Sequence, residues 1–414
     1  MPLKLQKTVE LLILLPFIYI FSIISIMESA SKILVVTVVI SFVFYASYNI
    51  KELKKQFIDN MKNPFVGYHL FTIYIGFLYK NHDVSNREIR TLLCLSFLVF
   101  YFPFHLMDRR LFTFLCIIGS SVIFTNSIFY LLQSGYSRWA GVVNPIPYAI
   151  ICATILLLNI YLLINEKCKI ARYLLSLSIL FSFMSILLTQ TRGVWIAIIF
   201  SVLILLKDEI FKLPKKFLFI SLAVFIMLLS ANGNVIKGRI QQSAIEIERI
   251  NNGDLNSSFG LRIQMWKLAP KLIQDNYLFG LGRHHSKKMK TLYENNEISQ
   301  SLYKFNPVHY HNQFIDIVIR YGVFGFLLII GLLFTPIIAA KRYNSLGKSV
   351  IYSIVSLYII SGLTDVPFFH TQSFLIYISS IFFLDRIARK ETGYLKNDKK
   401  FNDGEIFISP PPNN

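Results

Sequence analysis

The chain has 414 residues, 54% of them hydrophobic and only 16% charged, whereas a soluble globular protein carries about 45–50% apolar and about 25% charged residues. That balance excludes a soluble multidomain enzyme, a disordered scaffold and a disulfide-rich secreted module, and leaves an all-α polytopic membrane protein. The formal net charge of +19 would point to nucleic acid in a soluble chain; here it poses the question of which side of a bilayer holds the charge.

Lys4 and Lys7 precede an apolar run from about Val9 to Met27 with no small-residue cleavage site after it, which reads as an uncleaved first helix. A hydrocarbon core about 30 Å thick needs roughly 17–25 apolar residues per helix. Runs of this kind centre near residues 18, 40, 72, 99, 121, 155, 180, 199, 224, 331, 355 and 378, twelve candidate transmembrane helices in all. An even count puts both termini on one side. With the termini cytoplasmic, the inside segments hold 24 basic residues and the short outside segments six, the bias that the positive-inside rule requires. Cys94, Cys116, Cys152 and Cys168 form no CxxC pair and read as small hydrophobes, not as disulfides or zinc ligands.

The organisation is lopsided. Residues 1–231 hold transmembrane helices 1–9, residues 232–321 form one long outside loop, residues 322–386 hold helices 10–12, and 387–414 are a polar tail on the inside. A loop that long usually carries function. It has 12 basic residues against seven acidic ones, and it reads as mainly helical pieces. Val235–Ile250 mixes isoleucines with charges, as an interfacial helix does. Asn251–Ser258 is a turn-rich break, and a helix capped by Ser257 or Ser258 follows from Leu261, ended by the G-L-G at Gly280–Gly282. Arg283–Phe305 reads as a second polar stretch.

The chemistry-bearing residues gather on the outer side. T-Q-T-R-G at 189–193 joins the seventh and eighth spans and sets Arg192 at the membrane interface. A charge beside hydrocarbon is costly and by default marks a function, although a snorkelling arginine can merely set helix depth. The polar escort of Thr189, Gln190 and Thr191 is more than depth-setting needs. Arg262 stands four residues before Trp266, a spacing that lets a guanidinium lie on an indole, in a working site or on a plain surface helix. His309 and His311 sit one residue apart in H-Y-H-N. A zinc reading lacks a third ligand at matching spacing in the loop. Imidazole, ordinarily titrating near 6.5, can instead take a proton from a hydroxyl; a hydrogen-bonded structural histidine is the alternative. His284 and His285 follow Arg283 and read as solvated surface. Asp365, the sole acid of the T-D-V-P loop at 364–367, can orient an arginine or histidine, or simply be solvated. Two arginines and a histidine base suit a reaction that expels a phosphorylated leaving group, since arginine offers five donors and a permanent charge. No D-x-D pair or acidic cluster is present to hold a divalent ion, so neither metal nor cofactor is expected.

With T-Q-T-R-G, then G-L-R-I-Q-M-W at 260–266, G-L-G at 280–282, H-Y-H-N at 309–312 and Y-G-V-F-G at 321–325 in this order, the chain resembles the O-antigen ligase and O-antigen polymerase-like membrane proteins over about residues 170–385. The resemblance implies a lipid-donor (GT-C-like) architecture and a metal-independent, inverting glycosyltransferase of the Gram-negative inner membrane, its site facing the periplasm. The ligase branch moves O-antigen from undecaprenyl diphosphate to lipid A-core oligosaccharide. Carried over by position, Arg192 and Arg262 bind the diphosphate and His311, the histidine followed by Asn312, is the base. His309, Asn312, Trp266 and Asp365 are expected to help hold the substrates. The ligase is the preferred branch, mainly because the single long loop lies between spans nine and ten and Q-T-R-G resembles the ligase form; a net-basic loop also suits its phosphate-rich core. An O-antigen polymerase joining lipid-linked repeat units shares the chemistry. A transporter or lipid-linked glycan flippase would call for repeat symmetry and midplane ionisable residues, which the sequence does not display.

Overall fold

In the computed structural model, residues 3–61, 67–133, 141–210, 230 and 233–392 are described. The expected ninth span near residue 224, its flanking Lys212, Lys215 and Lys216, and the tail beyond Thr392 lie outside them. Every regular element among the described residues is helical. The chain is a multi-pass membrane protein. Six helices are long and apolar enough to cross: α3 (Ala30–Met61), α6 (Arg109–Gln133), α7 (Pro145–Ile164), α8 (Lys169–Thr189), α14 (Gln313–Ala340) and α15 (Ser345–Gly362). Four of the other expected spans are shorter or broken. The first is two helices, α1 (Leu3–Ile13) and α2 (Leu15–Ser22), with Pro16 in the opening turn of the second; proline cannot continue the hydrogen-bond ladder of a preceding helix. α4 (Gly67–Leu78), α5 (Asn86–Tyr101) and α9 (Arg192–Leu206) have 12, 16 and 15 residues. α16 (Thr371–Glu391) ends in Asp385, Arg386, Arg389 and Lys390.

Two helices form the centre of the bundle. α7 is apolar all round, and 83% of its membrane-length window is buried, the mark of a helix enclosed by others. α16 is buried on every face from Thr371 to Asp385. Polar contacts tie the layers together: Asn159 on α7 donates to Ser120 on α6 at 2.8 Å, and Ser182 on α8 donates to the same hydroxyl at 3.1 Å. Such bonds and close packing join helices where lipid removes the hydrophobic drive.

The long loop builds its own small core. α10 (Gly233–Asn251), α11 (Ser258–Ile273), α12 (His285–Glu294) and α13 (Gln300–Phe305) follow in order. Met265, Leu268 and Leu272 of α11 pack with Met289, Leu302, Tyr310 and Ile319. Ser257 caps α11, accepting from the Gly260 amide at 3.0 Å. Two expectations need correction. α11 stops at Ile273, well before G-L-G, and the stretch read as simply polar holds α12 and α13. The G-L-G has a different task. Leu281 donates its amide to Ile319 at 2.7 Å, and Val323 donates to Tyr277 at 2.9 Å, pinning 277–281 along α14. Gly280 (φ +76) and Gly322 (φ +64) take left-handed conformations there, and a Cβ on either would collide with the opposing backbone at Arg320 or Leu278. Gly322 also breaks the helical path inside α14, so a first segment from Gln313 precedes the one that Y-G-V-F-G heads.

Under that junction lies an ion pair. Arg320 Nε is 2.8 Å from Asp316 Oδ2, with side chains 9% and 0% exposed. Asp316 Oδ1 also accepts the Tyr310 amide at 2.8 Å. Arg320 donates to the Val308 carbonyl and lies 4.9 Å over the Phe369 ring. One pair thus holds both flanks of His309.

Candidate active site

The T-Q-T-R-G turn is a sharp junction between α8 and α9. Gln190 ends α8 in the left-handed region (φ 54), and the Thr189 and Thr191 hydroxyls bond each other at 2.9 Å. This turn starts α9 at Arg192. A guanidinium in a first turn opposes the helix dipole, so an anion is needed beside it. Glu246 of α10 supplies one: Arg192 Nη2 reaches its Oε1 at 3.0 Å, and Nη1 donates to Ser243 at 2.6 Å. Arg239, one helical turn before Ser243, donates to Gln190 at 2.9 Å. Between these elements is a cavity of about 300 Å³, walled by Gln190, Arg192, Arg239, Glu246, Phe259 and Arg262 among others. The two arginines singled out in the sequence therefore share one cavity, although 70 residues separate them. Trp266, one turn after Arg262, donates its indole N–H to the Tyr310 carbonyl at 2.9 Å and meets Phe259 edge-on at 6.4 Å. It fixes α11 against the histidine segment.

Thr364 also lines the cavity. A Cβ on Gly193 would stand 2.5 Å from its hydroxyl, so glycine is required where the turn meets the T-D-V-P loop. The next residue, Asp365, is 2% exposed at its side chain and gathers three histidines. His311 Nδ1 is 3.2 Å from Oδ1, His309 Nε2 is 3.4 Å from the same oxygen, and His370 Nε2 is 3.9 Å from Oδ2. Of these, His311 has hydrogen-bond geometry, while His370 lies beyond hydrogen-bond reach. Burial alone would raise the Asp365 carboxyl. Close contact with the His309 and His311 rings, and electrostatic attraction toward the neighbouring imidazoles, outweigh it, holding the group well below the usual carboxylate range. A firmly ionised Asp365 orients imidazole rings. His311 itself adopts φ 48, turning the chain between buried Tyr310 and Asn312. The Asn312 side chain caps α14, accepting from Phe314 and Ile315 at 3.0 and 3.2 Å, which gives it a structural task beside its expected place on substrate.

His370 carried no signal in the sequence. Burial pushes it to about 4, and its Nε2 is enclosed without a hydrogen-bond partner. His309, Asp365 and His370 each offer one ligand atom, and these lie within 4.8 Å of one another, close enough to hold a metal ion. Only His309 of H-x-H takes part in this group; the other two ligand atoms come from Asp365 of T-D-V-P and from His370.

His285 is the clearest departure from the sequence reading. It is 5% exposed, not solvated, and its Nδ1 meets the Tyr310 hydroxyl at 3.0 Å. Burial, aided by the charges of Arg320 and Arg283, lowers it from 6.5 to about 4. The folded value lies below the unfolded one, so this contribution to stability is complete above pH 6.5 and is lost as pH falls toward 4. The melting temperature should drop across that window, and less steeply in His285→Gln. Equal slopes in the two proteins would contradict the assignment.

Residues 177–330 match the family described as O-antigen ligase, so that stretch of the chain is similar to O-antigen ligases. That segment contains the T-Q-T-R-G turn, α10, α11 and the histidine pair. The chain is also similar to an uncharacterised protein of Haemophilus influenzae, 24% identical over 220 residues. The match covers 50% of this chain and 53% of that protein, about half the length of each.

Proposed function

We propose that the protein is an O-antigen ligase that transfers a glycan from undecaprenyl diphosphate to lipid A-core oligosaccharide at the periplasmic face of the Gram-negative inner membrane. The observation carrying this reading is the pairing of an arginine-walled cavity with a carboxylate-anchored histidine across the Gly193–Thr364 contact. In the proposed reaction the Asp365 carboxylate receives His311 Nδ1–H, leaving Nε2 as the basic nitrogen. Nε2 takes the proton of an acceptor hydroxyl as that oxygen bonds to the anomeric carbon. The bond from that carbon to the phosphate oxygen breaks on the opposite face, inverting the centre. The departing diphosphate stays bound to Arg192 and Arg262, whose donors meet the charge that grows as the bond breaks.

The lipopolysaccharide of a strain lacking the protein tests this reading. A bare core, with full-length glycan retained on the lipid carrier, is the expected result. A core bearing a single repeat unit would indicate a polymerase, and an unchanged profile would refute both.

The same reading has the loop in the periplasm. A cysteine introduced at Asn252 should react with an impermeant thiol reagent in spheroplasts, while one at Asn402 should not; the reverse pattern would overturn the orientation. It also assigns His309 and His370 to support of Asp365, not to a metal. Transfer by purified protein should persist in EDTA. Loss of turnover restored by one added divalent ion would make His309, Asp365 and His370 its ligands instead.

A further inference from the structure

α10 turns part of its charge inward. Arg239, Ser243 and Glu246 lie at i, i+4 and i+7, one face of the helix, and all three line the cavity. Ile240, Ile245 and Ile247 are 64%, 52% and 55% exposed. Lys237, Glu248 and Arg249 are exposed as well, and this mix of isoleucine and charge toward the outside suits a helix at a membrane interface. None of its residues is buried, so little packing resists its movement.

Three arginines and one carboxylate, Glu246, line the cavity. The carboxylate makes the contacts a phosphate would make. Oε1 receives Arg192 at 3.0 Å, and Oε2 receives the Phe259 amide at 3.2 Å. Its side chain is only 19% exposed. Two of the Arg239 donors go to neutral amide oxygens, of Gln190 at 2.9 Å and Gln242 at 2.7 Å. A guanidinium loses little on exchanging an amide oxygen for a doubly charged ester, since charge-assisted bonds are the stronger.

We propose that α10 completes the donor site: Glu246 holds the place of a phosphate until the donor's diphosphate displaces it, and Arg239 then becomes the third guanidinium on that diphosphate. The proposal rests on reading the cavity as a diphosphate site, and it adds two residues that the sequence did not single out.

The test titrates inorganic pyrophosphate into the full-length protein in detergent. Glu246→Gln keeps the side-chain shape and an oxygen for Phe259 but removes the competing charge, so it should bind about tenfold more tightly. Arg239→Gln should bind about tenfold more weakly, the scale of one charge-assisted contact. Opposite signs are the signature, because two merely structural residues would both weaken binding. Tighter binding absent in Glu246→Gln, or wild-type affinity in Arg239→Gln, overturns the proposal. Should Glu246→Gln fail to insert, the Arg239 variant, which leaves the Glu246 contacts in place, carries the test. Arg192→Gln separates the two levels. If pyrophosphate fails to bind wild type, or binds Arg192→Gln equally well, the cavity reading falls too. If Arg192→Gln abolishes binding and the α10 variants leave it unmoved, only the role of α10 falls.

Discussion

His311→Ala is expected to lose glycan transfer by about 10²–10⁴-fold, the usual contribution of a positioned general base, while still binding the lipid-linked donor. In the proposed reaction the donor's charge is met by Arg192 and Arg262, which line one cavity, whereas His311 is anchored beyond the Gly193–Thr364 contact on Asp365. Removing the imidazole therefore takes away the proton acceptor and leaves the phosphate contacts intact. Asp365→Asn should also be slow, because an amide can present its N–H to Nδ1 and favour the wrong tautomer. His309→Ala should be milder, since its ring stands farther from the carboxylate, at 3.4 Å. Arg192→Lys should differ in kind. It keeps a charge but loses the planar fork, so donor binding and turnover should both fall. Transfer and donor-binding assays on each inserted protein check the set. Near wild-type transfer by His311→Ala across the pH range would make the histidine structural.

Arg320→Met should destabilise the protein by about 3–5 kcal/mol, the cost of removing one partner from a buried ion pair. Asp316 is fully enclosed and would keep an uncompensated charge next to the Tyr310 amide. The Val308 carbonyl would lose its donor, and Phe369 the cation above its ring. Since Val308 and Tyr310 flank His309, the loss should reach the histidine segment before the distant end of the bundle. Hydrogen exchange should rise first over 306–312, and the melting temperature should fall sharply. Arg320→Met/Asp316→Leu should recover part of the loss by removing the orphaned charge. A melting temperature unchanged in the single variant would mean that the pair does not hold the junction.

The all-helical membrane fold was legible because apolar runs of spanning length have few other uses. α10 and α11 were legible for local reasons: isoleucines mixed with charge in one, and a serine before the apolar run in the other, with Ser257 at the cap. Pro16 was present in the sequence as a break in the first span, but continuous hydrophobicity masked it. What stayed hidden depends on contacts between distant segments. His370, five residues after Asp365, is one histidine among apolar residues until the fold brings the H-Y-H-N segment to both. His285 follows Arg283 and His284, both exposed, and only the packing of α12 against Tyr310 buries it. Asp316 and Arg320 were counted as loop charges; their spacing of four at the start of an apolar helix was the signal that they pair and go inside. Arg239 and Glu246 were read as the polar side of an interfacial helix, and the sequence does not say which way that side turns.

As proposed, this chain joins a carrier-linked glycan to lipid A-core with an arginine-bound diphosphate leaving. Purified protein in liposomes, given an undecaprenyl diphosphate-linked glycan and lipid A-core, tests it most directly. The expected result is a glycan–core conjugate, stoichiometric release of undecaprenyl diphosphate, inversion at the new linkage, and conjugate formed far more slowly by His311→Ala. Lengthened glycan on the carrier with the core untouched, or a conjugate formed equally well by His311→Ala, would contradict it.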